Sequence, residues 1–249
     1  CTTGYVTVKN YSNSKAGEVA YENHSYGFVI LELKPDGTCY IPRNVKVTKE
    51  GTFIDIVHSV TPNGVTRIEK TLGFVWGDIH TRMLDRKVVE VTKNLLLKLK
   101  PEKSVTHDVL DGSSFNPHEV KDMFIQRRKI MEGKPLIEEE IGEVMDFLKE
   151  IQEYSGDLYV VESNHDVFLD RHINSENWKR DLHNSPAYLQ YAYIQQTVDL
   201  REHGNILGYL IDQKFKDEVK YLKMGDSFKI ADYECALHGD FGTNGAKGN

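Results

Sequence analysis

Cysteine is scarce in this chain, with three in 249 residues. Cys1, Cys39 and Cys235 lie far apart and form no Cys-x-x-Cys pair. That argues against a disulfide framework and against a thiolate zinc site, and makes a reducing cytoplasm the expected setting. No run approaches the roughly 18 apolar residues needed to span a bilayer, so no membrane partner is expected. No Gly-x-Ser-x-Gly elbow occurs, which excludes the usual serine hydrolase arrangement. The glycine-rich tail Gly239–Lys247 lacks the Gly-Lys-Ser/Thr ending of a Walker phosphate loop, because Ala246 precedes Lys247 and Gly248 follows it. Positive charge is also in deficit. The net charge of -7 weakens the case for a broad basic face on phosphate. A carboxylate-rich site holding dications would reverse that sign locally.

What is present is a soluble, globular composition, 39% hydrophobic and 28% charged. The length suits one large domain or one domain with an appendage. Residues 1–70 read as a β-rich module, with Tyr26–Leu33 apolar and Lys34-Pro35-Asp36-Gly37 a strong turn signal. Thr61-Pro62-Asn63-Gly64 marks another turn. From residue 71 to 249 the pattern changes to strands alternating with helices, which predicts a layered α/β domain with a sheet core flanked by helices. Expected strands are Leu72–Trp76, Ser104–Leu110, Asp157–Glu162 and Glu234–Leu237. Expected helices are Asp85–Lys98, one opened by Asn116 and Pro117, Leu136–Tyr154 and Pro186–Glu202.

Polar clusters fall at the four strand ends, where open α/β sheets bind ligands. They are Asp78 with His80, Asp108 with Asp111, Asn164-His165-Asp166, and His238 with Asp240. Each alone is explained by turn chemistry or helix capping. Four in one α/β pattern suggest a site. Mixed oxygen and nitrogen donors without thiolate suit Mn²⁺, Fe, Zn²⁺ or Mg²⁺. A carboxylate can bridge two such ions, which together polarise phosphoryl oxygens and lower the pKa of water.

The order Gly77-Asp78-Ile79-His80, Asp108-Val109-Leu110-Asp111-Gly112, Asn164-His165-Asp166, His238-Gly239-Asp240 resembles the calcineurin-like metallophosphoesterase family. That family's pattern is D-x-H, GDxxD, GNH(D/E), H and GHxH. The resemblance covers about residues 71–249. It implies two divalent metal ions, Mn²⁺ foremost, with Asp78 and His80 on the first. It implies Asp108 bridging both, and Asn164 and His238 on the second. It also implies that His165 assists the leaving oxygen and that Asp111 orients His165. A carboxylate on one imidazole nitrogen would fix the tautomer.

Three departures stand out. His107 occupies a position the family gives to glycine, and so does Ser163. No GHxH follows His238, which suggests that the sequence stops before its last ligands. Outside the motif, His118 lies on a loop leaving the second strand end. Arg82, Arg171 and His172 follow motif residues and could contact phosphate. Solvent exposure is the plainer reading of these three.

The implied function is a metal-dependent phosphoesterase. The β-rich start, Gly77–Arg82 and Asp111–Glu119 resemble phage metallophosphoesterases of the pre-early DNA-transfer type. That implies a nuclease with DNA as partner, working in the host cytoplasm. A phosphomonoesterase or nucleotide phosphodiesterase, and an inactive interaction module keeping the fold, are the alternatives.

Overall fold

A computed structural model describes residues 4–37, 40–115, 122–133, 136–175, 177–181 and 183–238. The chain divides into two compact units, Cys1–Glu69 and Lys70–Asn249.

In the first unit, helix α1 (Lys15–Glu22) is capped by Ser14, whose hydroxyl accepts from the Gly17 amide. Strands β1 (Gly27–Leu33) and β2 (Tyr40–Lys46) pair antiparallel. Between them the Lys34–Gly37 turn forms as its sequence dictates: the Gly37 amide donates to the Lys34 carbonyl at 2.9 Å, and Gly37 takes φ +68°. Strands β3 (Phe53–Asp55), β4 (His58–Thr61) and β5 (Gly64–Arg67) make a meander, with Thr61 opposite Gly64 at its tight turn. The helix α1 departs from the β-rich expectation. Its eight residues are short enough for the Ser14 cap to matter as much as their pattern.

The second unit is built on four parallel strands in the order β6 (Gly73–Val75), β7 (Lys103–His107), β8 (Asp157–Val161), β9 (Val219–Leu222). Helix α2 (Arg86–Leu99) connects β6 to β7. Helices α3 (Met123–Met131) and α4 (Ile137–Gln152) lie between β7 and β8. Helices α5 (Phe168–Asn174), α6 (Ser185–Thr197) and α7 (Ile206–Phe215) lie between β8 and β9. Parallel strands need such crossovers, so the helices follow from the sheet's direction.

Strand periodicity divides the core. On β8, Leu158 and Val160 join the main apolar cluster with Val144, Leu148 and Ile151 of α4 and Ile206, Leu207 and Ile211 of α7. Tyr159 and Val161 point to the other face, against Phe228 and Ile230. A strand buried on both faces reads as a continuous apolar run, which is what Leu158–Val161 shows. Burying each such side chain stabilises the fold by roughly 1.5–3 kcal/mol.

Local signals predicted several elements well. Asp85 accepts from the Lys87 amide and starts α2, and Lys100 ends it in the left-handed region. The acidic start of α4 lies on its first turn, where Glu139 accepts from the Leu136 amide at 3.0 Å.

Other boundaries differ from expectation. β7 stops at His107 instead of Leu110, because Asp108 turns to φ +51° and breaks the extended run. The long helix from Pro186 ends at Thr197, with a separate 3₁₀ turn at Leu200–Glu202. The expected strand Glu234–Leu237 is not part of the four-stranded sheet. Among the described residues its start forms β11 (Tyr233–Glu234), which pairs with β10 (Lys229–Ile230) in a short two-stranded hairpin. The fourth strand of the sheet is β9. The expected helix opened by Asn116 and Pro117 falls outside the described residues; the next described helix, α3, begins after Asp122, which caps it.

Candidate metal centre

The site grows from the carboxyl ends of β6, β7 and β8. Beyond β6 the backbone keeps hydrogen bonding to its neighbour. The His80 amide donates to the Asp108 carbonyl at 2.7 Å, and the Thr81 amide to the Val109 carbonyl at 3.2 Å. His80 and Asp108 both sit at positive φ, +42° and +51°. Non-glycine residues adopt this region rarely, and it costs of order 1–3 kcal/mol each. The turns aim both side chains inward.

Two groups of potential metal ligands result among the described residues. One is Asp78, His80 and Asp108. The other is His107, Asp108 and His238. In each, one ligand atom per residue falls within 4.8 Å of the others. Asp108 belongs to both. Its Oδ2 lies 3.1 Å from His238 Nε2 and 4.0 Å from His80 Nε2. Its Oδ1 is buried without a hydrogen-bond partner, as are His80 Nδ1, His107 Nδ1 and His238 Nδ1. Buried polar atoms without partners are costly, and here all four belong to residues of the two ligand groups. The residues therefore fit divalent ions, with a nitrogen and oxygen donor set of borderline hardness. Burial, then the nearby His238, pushes the His107 pKa down and favours its neutral, ligand-competent ring.

The Asn164-His165 turn is held from beneath. The Ser163 amide donates to Asp166 Oδ2 at 3.0 Å, and the Asp166 amide donates to Ser163 Oγ at 3.3 Å. Both residues are fully buried. Ser163 thus does what glycine cannot, closing a reciprocal bond across the turn. The Tyr221 hydroxyl of β9 also donates to Asp166 Oδ2, at 3.2 Å. Burial foremost raises the Asp166 pKa to about 7, against the opposing Ser163 bond, with the Asp108 charge adding to the rise. Asn164 lies half-buried in this turn.

His165 is oriented differently from the expectation. Its Nδ1 lies 2.9 Å from the main-chain oxygen of Asp111, not its carboxylate. The Asp111 carboxylate instead faces His80, with Oδ1 3.7 Å from Nδ1. The reason is backbone geometry: Asp108 at φ +51° and Gly112 at φ +74° twist the loop so that carbonyl and side chain of Asp111 diverge. The His165 ring packs against His80 and Phe168, each 4.7 Å away between centroids.

A buried carboxylate absent from the sequence reading holds this loop. Glu140 of α4 is fully buried and accepts from the amides of Gly112, Ser113 and Ser114 and from the Ser114 hydroxyl. It also lies 3.7 Å from Arg82. In the sequence Glu140 is the last of three consecutive acids, Glu138–Glu140, a run that complements the dipole at the start of α4. Only the inward turn of α4 singles it out.

The secondary candidates separate. Arg82 is occupied by Glu143 at 3.3 Å and by Glu140, so its guanidinium is committed to holding α4. Arg171 is exposed on α5. His172 is neither exposed nor near phosphate reach. It is fully buried between Phe115 and Tyr188, with both ring nitrogens unpartnered, and burial lowers its pKa to about 4. It follows the helical spacing of Leu169 and Ile173 into the core. His118 and Asp240 lie outside the described residues.

No described helix is long and apolar enough to cross a membrane. No protein-family model matches the chain. No solved structure matches it. The chain is similar to a phage protein. Protein A1 of Escherichia phage T5 is 30% identical over 261 aligned residues, which take in 100% of this chain and 47% of that protein. The chain thus spans about half the length of the curated relative it matches.

Proposed function

We propose that the chain carries the centre of a divalent-metal-dependent phosphoesterase that cleaves DNA. One observation carries the proposal: two three-residue ligand groups share the single buried carboxylate of Asp108. Such sharing is what a two-ion site needs. Ions held there, Mn²⁺ foremost, would act as Lewis acids on phosphoryl oxygens and supply a nucleophile from water.

The remaining work falls to side chains. A carbonyl can only accept, so the Asp111 oxygen fixes the proton of His165 on Nδ1. That leaves Nε2 as the atom that holds or releases a proton toward the leaving oxygen. Asp78, His80, Asp108 and His238 would hold the ions, and Asn164 joins them on the strength of the family resemblance. Glu140 and the Ser163–Asp166 pair keep the two loops in place. DNA as substrate, and action in the host cytoplasm, rest on the resemblance of the β-rich start, Gly77–Arg82 and Asp111–Glu119 to phage metallophosphoesterases and on the phage relative.

The test is hydrolysis by the full chain with Mn²⁺, offered duplex DNA and an aryl phosphate in parallel. Cleavage of DNA that disappears with chelator and in Asp108→Asn is the expected result. Turnover of the aryl phosphate with DNA left intact would instead mark a phosphomonoesterase. No turnover of either with Mn²⁺, Mg²⁺, Zn²⁺ or Fe²⁺ would point to an interaction module.

A further inference from the structure

His107 has no role in the family pattern, which places glycine there. In this chain the position ends β7 and carries an imidazole into the site. His107 Nδ1 is buried without a hydrogen-bond partner. The ring lies 5.1 Å from that of His238, and one of its nitrogens falls within 4.8 Å of ligand atoms of both Asp108 and His238. Glycine could offer no donor at this point.

We propose that His107 is itself a metal ligand, completing with Asp108 and His238 the coordination of the second ion. The inference rests on the reading of this site as a metal centre and adds a residue to it. A desolvated imidazole nitrogen with no partner is unfavourable unless something accepts its lone pair. The neighbouring Asp78 does not account for it. Asp78 Oδ1 is 3.3 Å from His107 Nδ1, but its side chain is 65% exposed and free to be solvated. Two imidazoles and a carboxylate form a donor set that Zn²⁺, Fe²⁺ and Mn²⁺ accept and Mg²⁺ does not favour. His107 therefore makes the two positions unequal. The Asp78 and His80 position has one imidazole, whereas the His238 position has two.

Two measurements on the full chain test this. The first is calorimetric titration of Mn²⁺ into the wild type, His107→Ala and His80→Ala. Two ions per wild-type chain are expected. His107→Ala should weaken one of them at least about tenfold and leave the other unchanged, by comparison with the affinity lost on disturbing ligand surroundings. His80→Ala should weaken the other. The second is nitrogen NMR of the histidine-labelled wild-type chain titrated with Zn²⁺, which needs no substitution. Three ligated imidazoles support the proposal even where His107→Ala fails to fold. Two ligated imidazoles, or unchanged binding of both ions by folded His107→Ala, overturn it and leave the metal centre standing. A wild-type chain that binds no ion overturns the metal-centre reading, and this inference with it.

Discussion

The amide of His80 donates to the carbonyl of Asp108 at 2.7 Å, and both residues hold left-handed backbone conformations. Two adjacent segments are thereby bent at the same level, just beyond the ends of β6 and β7. The bend turns an imidazole and a carboxylate toward each other across the strand boundary. Strained backbone at paired positions is stable only where its surroundings over-determine it, and here loop and helix contacts do so.

Asp108 is shared, so its removal should cost both ions. Asp108→Asn is expected to lose both Mn²⁺ ions in calorimetric titration, while His80→Ala loses affinity for one. Without metal the variant should be at least as stable as the wild type, since a buried carboxylate with an unpartnered oxygen is replaced by a neutral amide. At 100 times the dissociation constant, each ion should stabilise the wild type by about 2.7 kcal/mol and the variant not at all. Thermal melts with and without Mn²⁺ measure this.

Glu140 is expected to support the 112–114 loop more than its surface neighbours support anything. Glu140→Ala removes a carboxylate that accepts from three amides and one hydroxyl. A loss of roughly 2–4 kcal/mol in denaturant unfolding is expected, because hydrogen bonds to charged groups count about 1.5–3 kcal/mol each and water recovers part. Glu138→Ala, in the same acidic run but exposed, should change stability by less than about 0.5 kcal/mol.

Asp111 and His165 should separate in kinetics. His165→Ala is expected to lower kcat by about 10²- to 10⁴-fold with a DNA substrate. Asp111→Ala keeps the main-chain oxygen that holds the ring, so its kcat should fall far less. Equal losses in the two variants would mean that the carboxylate, not the carbonyl, orients His165 during turnover.

Asp170 gives a pH dependence on the acidic side. Its carboxyl caps α7 by accepting from the Ile206 amide, and burial above all raises its pKa to about 6 from 3.8. The folded state then binds more protons than the unfolded state between those values. The stability due to the protonated form is full below about 4 and is lost as pH rises through about 6. The full effect is on the order of 3 kcal/mol, at about 1.4 kcal/mol per pH unit between the two values. Asp170→Asn should flatten this slope in urea unfolding followed from pH 4 to 7.

His172 should behave in the opposite sense. Its pKa falls from 6.5 to about 4 on burial, so the unfolded state binds more protons between these values. Its contribution is therefore present above about 6.5 and lost as pH falls toward 4. His172→Leu should remove that acid sensitivity and leave DNA cleavage unchanged, because the ring lies in the core between Phe115 and Tyr188.

The sequence by itself determined what depends on neighbours along the chain. Lys34–Gly37 had to turn, Asp85 had to start a helix, and Leu158–Val161 had to be a doubly buried strand. The spacing of Asp78 with His80 and of Asp108 with Asp111 was legible for the same reason, since each pair sits within one short loop. The β9 strand and helix α7 escaped because Val219–Leu222 alternates too briefly to signal a strand without its partner β8. Only the tertiary structure decided the rest. It sent His172 into the core, turned Glu140 under the loop and pointed the Asp111 carboxylate at His80. It also brought His107 beside His238, which lies 131 positions further on. These outcomes depend on which way a backbone carbonyl or side chain faces once strands have paired and positive φ has been accepted. No local pattern of residue types carries that information.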